Sequence, residues 1–126
     1  MSAPPPVLDA SALLAFLQGE EGADTVEHAL EAGAVCGAAN WSEVAQKVGR
    51  RGDWPTARAL LQSYDLAVEP VAEADAERAA ERRAAAPSVS LADCLCLCLA
   101  LADRLGAVAL TSDSDWAHHA SVELIG

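Results

Sequence analysis

The sequence predicts an α/β fold in which helices cover both faces of a mainly parallel sheet, giving a three-layer α/β/α sandwich. Short apolar runs alternate with helical patterns along the whole chain. Strands separated by helices require right-handed crossovers, which make the strands parallel and place helices on both faces. A length of 126 residues with 52% hydrophobic content fits one core. We therefore expect a single domain over residues 7–126, preceded by a disordered, proline-rich tail at 1–6.

The first part of the chain predicts two strands and three helices. A brief strand at 7–8 precedes a buried apolar helix at 12–17, which stops at a glycine. Residues 23–30 carry apolar side chains four apart, as an amphipathic helix does, and a second glycine closes this helix. The apolar run 34–38 is a strand. An asparagine then opens a helix over 40–47.

The second part predicts three more helices and the rest of the sheet. An Asp-Trp-Pro start signal opens a helix at 53–63, and residues 73–86 form a charged, alanine-rich helix. Residues 91–105 are apolar nearly all round, so this helix is expected to pass through the middle of the fold. The remaining apolar runs predict three strands, at 66–68, 107–110 and 122–125.

Charge and cysteine usage bound the class of protein. The chain has 8 Lys and Arg against 19 Asp and Glu, a formal net charge of -11, which repels a nucleic acid backbone. A nucleic acid substrate would therefore need metal ions and a local basic patch. The four cysteines lack the paired spacing of a disulfide framework. With neither a secretory leader nor a membrane-spanning run in the sequence, we expect a cytoplasmic protein without a membrane partner.

Two basic clusters are candidates for phosphate contacts. Lys47, Arg50 and Arg51 can share one helix face near the helices at 40–63, and we favour them as the group that contacts phosphate. A second cluster, at 78–83, is better explained as a solvated surface with ion pairs four residues apart.

Four acidic residues lie where apolar runs meet helix starts. Asp9 and Asp113 follow strands, while Glu43 and Asp93 lie in the predicted first turns of helices. Each has a capping explanation: Asp9 suits an N-cap, and Glu43 and Asp93 each fit a capping box. If the strands are adjacent, however, the four carboxylates crowd at one sheet edge, where their repulsion requires a cation or protons. Oxygen-only ligands select Mg²⁺ or Mn²⁺ over zinc.

The chain resembles the PIN-domain family, and within it the short VapC-type ribonuclease toxins of type II toxin–antitoxin systems. The resemblance runs nearly end to end and rests on the order of four motifs. They are Val7-Leu8-Asp9-Ala10-Ser11-Ala12-Leu13-Leu14, Asn40-Trp41-Ser42-Glu43-Val44, Ser90-Leu91-Ala92-Asp93-Cys94 and Leu110-Thr111-Ser112-Asp113-Ser114-Asp115-Trp116.

The resemblance implies a Mg²⁺- or Mn²⁺-dependent endoribonuclease with strand order 3-2-1-4-5, a homodimer, and inhibition by a cognate antitoxin. In that chemistry a metal held by Asp9, Asp93 and Asp113 activates water for hydrolysis of RNA, and Glu43 binds metal or orients the water.

Three polar side chains near these acids are candidate supports. Ser11 and Thr111 offer hydroxyls to neighbouring carboxylates or a phosphate, and Asp115 is a further acid beside the metal ligands. Local turn and cap hydrogen bonds explain the two hydroxyls equally well.

A catalytically inactive module that keeps the PIN fold and binds partners through its helices is the alternative. The presence of all four acids argues against it.

Overall fold

Five parallel strands form one sheet at the centre of the protein. The computed structural model describes residues 4–85, 92–116 and 121–126, and the backbone alone for 92–96. The strands are β1 (Val7–Leu8), β2 (Val35–Gly37), β3 (Ala67–Glu69), β4 (Ala109–Thr111) and β5 (Val122–Leu124). Their order is β3-β2-β1-β4-β5, and each neighbouring pair is parallel. The α/β class, the parallel sheet and the strand order implied by the resemblance are confirmed.

Six helices connect the strands. They are α1 (Ala10–Gln18), α2 (Ala23–Ala32), α3 (Ala38–Arg51), α4 (Trp54–Ser63), α5 (Glu73–Ala85) and α6 (Ala92–Leu105). Glycines close α1 and α2 as predicted, and Gly19 takes a left-handed conformation with φ of 65°. A single 3₁₀ turn, Ser114–Trp116, follows β4.

Alternating side chains divide the core between the two faces of the sheet. Leu8 and Cys36 belong to the cluster formed mainly with α1 to α4. Val7 and Val35, their neighbours along the same strands, belong to the cluster formed with α6. This alternation follows from the two-residue period of a strand. The helix α6 therefore covers one face of the sheet, and its described residues 98–102 are buried.

The start of α3 differs from its prediction. The helix begins at Ala38, with Gly37 as an N-cap that makes no side-chain hydrogen bond. Asn40 is therefore the third helical residue, and Glu43 lies beyond the first turn, so the capping-box explanation of Glu43 is wrong. Asp9, in contrast, is the N-cap of α1, since its side chain accepts a hydrogen bond from the Ala12 amide.

Ion pairs join α5 to α6. Asp103 contacts Arg82 and lies 3.9 Å from Arg78. Arg104 Nε donates a hydrogen bond of 2.8 Å to Asp75, a carboxylate that is only 2% exposed. Two members of the second basic cluster thus form tertiary ion pairs in place of the predicted pairs four residues apart.

Among the described residues, no helix is long and apolar enough to cross a bilayer.

Candidate active site

Asp9 lies between β1 and α1, at the carboxyl edge of the central strand. The strand order reverses between β1 and β4, and this reversal is where ligands bind in open α/β sheets. The side chain is 5% exposed. Its carboxylate accepts three hydrogen bonds: from Ser11 Oγ at 2.7 Å, from the Ala12 amide at 2.8 Å and from Thr111 Oγ1 at 2.6 Å. The local sequence therefore fixes this carboxylate at the start of a helix and at the switch point of the sheet.

The two hydroxyls are oriented toward Asp9 by the backbone after β4. Ser11 Oγ accepts from the Ser112 amide at 3.0 Å, and Thr111 Oγ1 accepts from the Asp113 amide, also at 3.0 Å. The oxygens of Ser11 and Thr111 lie 3.1 Å apart. Because each hydroxyl has one proton, which it donates to Asp9, each uses its lone pairs to accept from the backbone. Both donors therefore suit the ionised form of Asp9.

Burial nevertheless raises the pKa of Asp9 above its ordinary value of 3.8. Loss of hydration is the largest cause; hydrogen bonds from Thr111, Ala12 and Ser11 oppose it, and the charge of Glu43 adds to it. The carboxylate thus has neutral donors that favour ionisation and a negative neighbour that opposes it. A cation beside Asp9 would relieve both the burial cost and the repulsion.

Asp113 lies two residues beyond β4, on the same edge as Asp9. Its Oδ1 accepts a hydrogen bond of 2.9 Å from the Asp115 amide, within the 3₁₀ turn. The backbone of Asp113 is therefore tied to Asp9 through the hydroxyl of Thr111. Ser11 and Thr111 bond the Asp9 carboxylate and also make the local bonds named as the alternative, so their supporting role stays a prediction.

A cleft of about 420 Å³ opens beside Ser11 and Ser112. Its opposite wall is α3, which supplies Glu43 and the three favoured basic residues, Lys47, Arg50 and Arg51. Lys47 Nζ lies 3.1 Å from Glu43 Oε2. The cleft thus joins the Ser11 hydroxyl, which donates to Asp9, to a wall that carries three basic side chains and one acid.

Two cleft residues carried no recognised signal in the sequence: Gln18 and Glu20. With its amide nitrogen toward Glu20 and its oxygen toward Arg51, Gln18 donates at 3.0 Å and accepts at 2.9 Å. It therefore links the end of α1 to the end of α3. Nothing in the local pattern of Gln18 distinguishes it from an ordinary polar residue at a helix end.

By the chemistry of their donors, Asp9 and the hydroxyls beside it would suit a divalent cation. Carboxylate and hydroxyl oxygens are the ligands that hard cations such as Mg²⁺ and Mn²⁺ prefer. Asp93 is the second residue of α6, and its side chain lies outside the described residues. Among the side chains that are described, no three acids, histidines or cysteines form a metal-binding group. The predicted ligand set thus remains a prediction.

The comparisons with known proteins agree with this geometry. No curated protein matches the sequence. The fold is similar to a chain in a toxin–antitoxin complex from Klebsiella pneumoniae, with a TM-score of 0.77 and 21% identity over 96% of this chain and 98% of that one. The model of the PIN domain family matches residues 7–122, nearly the whole chain. With its all-parallel sheet in the order 3-2-1-4-5 and its acidic switch point, the chain belongs to the PIN domain family.

Proposed function

We propose that the protein is a Mg²⁺- or Mn²⁺-dependent endoribonuclease, the VapC-type toxin of a toxin–antitoxin pair that acts in the cytoplasm. One observation carries the proposal: a buried Asp9, held in its acceptor form by two hydroxyls, adjoins a cleft lined by Lys47, Arg50 and Arg51. An acid suited to a cation and a basic wall suited to phosphate adjoin one groove. Metal-assisted hydrolysis of a phosphodiester can use both.

In this proposal Asp9, Asp93 and Asp113 hold the metal, and Glu43 orients the attacking water or completes the ligand set. When bound, the cation supplies charge neutralisation at the phosphoryl oxygens and lowers the pKa of water. Thr111 and Ser11 keep the Asp9 carboxylate fixed and in its acceptor form. No covalent nucleophile is needed, because water supplies the attacking oxygen.

The basic wall explains how a chain of net charge -11 would hold RNA. Lys47, Arg50 and Arg51 are exposed along α3 and face the cleft. Their positive charges offset the repulsion between the phosphate backbone and the protein's acidic surface within the groove. Phosphate contacts of this kind position RNA without reading its sequence.

Two protein partners belong to the proposal: a cognate antitoxin and a second copy of the chain. The structure from Klebsiella pneumoniae is a toxin–antitoxin complex, and its fold covers nearly all of this chain. An acidic site such as that around Asp9 attracts a basic side chain in the absence of metal. We infer that the antitoxin inserts an Arg or Lys among the carboxylates, where it competes with the cation.

Cleavage of RNA by purified protein tests the function. Several structured and single-stranded RNAs are incubated with Mg²⁺, Mn²⁺ or chelator, alongside Asp9→Asn and the exposed control Asp24→Asn on α2. The proposal expects metal-dependent cleavage by the wild type and the control, and none by Asp9→Asn. If the wild type cuts no RNA in either metal, the inactive binding module is the better account.

A further inference from the structure

Asn40 is a buried polar side chain with no role in the mechanism above. It lies on α3, one turn before Glu43, and is 2% exposed. Its Oδ1 accepts a hydrogen bond of 3.3 Å from the backbone amide of Ala10, the residue directly after Asp9. The sequence pattern around Asn40 predicts a helix cap, but the side chain instead reaches a different element thirty positions earlier in the chain.

Among the described residues, the other polar group of Asn40, its buried Nδ2, has no hydrogen-bond acceptor. A buried donor left unpaired opposes folding, and native structures contain few of them. Fold stability alone therefore gives a poor account of an asparagine at this position, where an apolar residue would leave no such donor on α3.

The contact instead joins two of the elements that carry candidate catalytic acids, α1 beside Asp9 and α3 with Glu43. Ala10 opens α1, and its amide is one of the helix-start donors that need an acceptor from outside the helix. Asn40 and the buried Val44 are four residues apart, so both lie on the inner face of α3. Fixing Asn40 against Ala10 sets the rotation of α3, and with it the direction in which Glu43 enters the cleft.

The separation of the two acids matters for a metal site. Two carboxylates that act on one cation need a fixed separation, and groups outside the ligand set commonly provide it. The hydrogen bond from the Ala10 amide to Asn40 Oδ1 joins the start of α1, directly after Asp9, to the helix that carries Glu43.

We propose that Asn40 is a positioning residue that couples Asp9 to Glu43 by holding the start of α1 against α3. This inference rests on the proposed function, since it concerns the metal site of the same reaction. Asn40 touches neither RNA nor metal in this account, and acts only through the two acids.

Two substitutions and one control test the coupling in the full-length protein. Asn40→Leu removes the acceptor while keeping the branched shape and the number of heavy atoms, and Asn40→Asp keeps the acceptor oxygen. Val44→Ala, one turn further along the same buried face, destabilises α3 without touching Ala10. For each variant we would measure thermal unfolding, Mn²⁺ affinity by calorimetry, and kcat and KM for RNA cleavage.

We expect Asn40→Leu to weaken Mn²⁺ binding or to lower kcat by about 10- to 100-fold, with KM for RNA changed less than about twofold. Asn40→Asp should recover most of that loss. Val44→Ala should lower the melting temperature by several degrees and leave metal affinity near that of the wild type. If Asn40→Leu loses function only in proportion to its loss of stability, as Val44→Ala does, the coupling role is overturned.

Amide hydrogen exchange separates this inference from the function on which it rests. The Ala10 amide should exchange at least about tenfold faster in Asn40→Leu, while the Leu13 amide, bonded to the Asp9 carbonyl, should be unchanged. If the wild type neither binds Mn²⁺ nor cleaves RNA, the function fails, and faster exchange still supports the contact. Equal exchange in both proteins overturns the contact whatever the activity.

Discussion

Thr111 Oγ1 donates a hydrogen bond of 2.6 Å to Asp9 Oδ2, joining residues that lie 102 positions apart in the chain. The same oxygen accepts from the Asp113 amide at 3.0 Å. One hydroxyl therefore ties the acid that follows β1 to the acid that follows β4. The pairing of β1 with β4 makes this contact possible, because it places their carboxyl ends side by side.

Replacement of Thr111 by Val should remove this tie. The variant keeps the shape of the side chain but leaves the Asp113 amide without its acceptor. Asp9 loses one of its three donors. We expect a loss of about 1–3 kcal/mol in the free energy of unfolding and a roughly 10- to 100-fold loss of metal-dependent cleavage. Thr111→Ser keeps the hydroxyl and serves as the matched control. Full activity in Thr111→Val would contradict the role assigned to the hydroxyl.

Asp9→Asn should abolish cleavage yet stabilise the metal-free protein near neutral pH. The folded pKa of Asp9 is raised above 3.8, so the stability associated with this group is present at low pH and is lost as pH rises through the folded pKa. The amide does not ionise and avoids that loss. Thermal unfolding is measured from pH 4 to 8 in the presence of chelator. The melting temperature of Asp9→Asn, relative to that of the wild type, should increase as pH rises. Added Mn²⁺ should raise the melting temperature of the wild type only.

The double variant Arg50→Gln and Arg51→Gln should weaken RNA binding without changing the chemical step. Both side chains line the cleft beside Lys47. We expect KM to rise by about tenfold or more, kcat to stay within about twofold, and the salt slope of binding to fall by about 0.7 for each lost phosphate contact. Arg58→Gln on α4, which is exposed and outside the cleft-lining set, is the control for removing a positive charge elsewhere, and its effect is compared with that of each single variant, Arg50→Gln and Arg51→Gln. An equal effect from the control would place the RNA elsewhere.

The buried thiol of Cys36 should lower the free energy of unfolding at alkaline pH. Burial, with a smaller contribution from the charge of Asp9, raises the pKa of its thiol from 9.0 to about 12. Between these values the unfolded chain loses the proton that the folded chain keeps, so stability falls as pH rises above 9. We would measure the free energy of unfolding in urea for wild type and Cys36→Ala at pH 8 and 10.5. Between these pH values it should fall by roughly 1–2 kcal/mol more in the wild type. The same pH dependence in both proteins would refute the shift.

Divalent cations should weaken the complex with the antitoxin. If a basic side chain of the antitoxin occupies the site around Asp9, it and the metal exclude one another. Titration of the purified complex with Mg²⁺ should raise the dissociation constant, and the Asp9→Asn complex should respond less. The competition is refuted if affinity is independent of Mg²⁺ while ionic strength is held constant.

The elements of the fold were largely predictable because they depend on local sequence. Apolar runs and glycine stops located five strands and six helices within a few residues, and the parallel sheet followed from their alternation. The start of α3 was misplaced because Asn40 matches a helix cap locally. Asn40 lies four residues before Val44, and both are buried on one helix face. That spacing was the available signal that the side chain of Asn40 points into the protein.

The sequence by itself indicated that Asp9 suits a helix cap, that acids follow β1 and β4, and that Lys47, Arg50 and Arg51 have the spacing of one helix face. Each of these depends on neighbours a few positions away. Only the tertiary structure decided that Thr111 and Ser11 donate to Asp9, that α3 forms the wall of the cleft, and that Asn40 bonds Ala10 in place of capping its own helix. Such contacts depend on which strands become neighbours, and strand order is set by the packing of the whole chain.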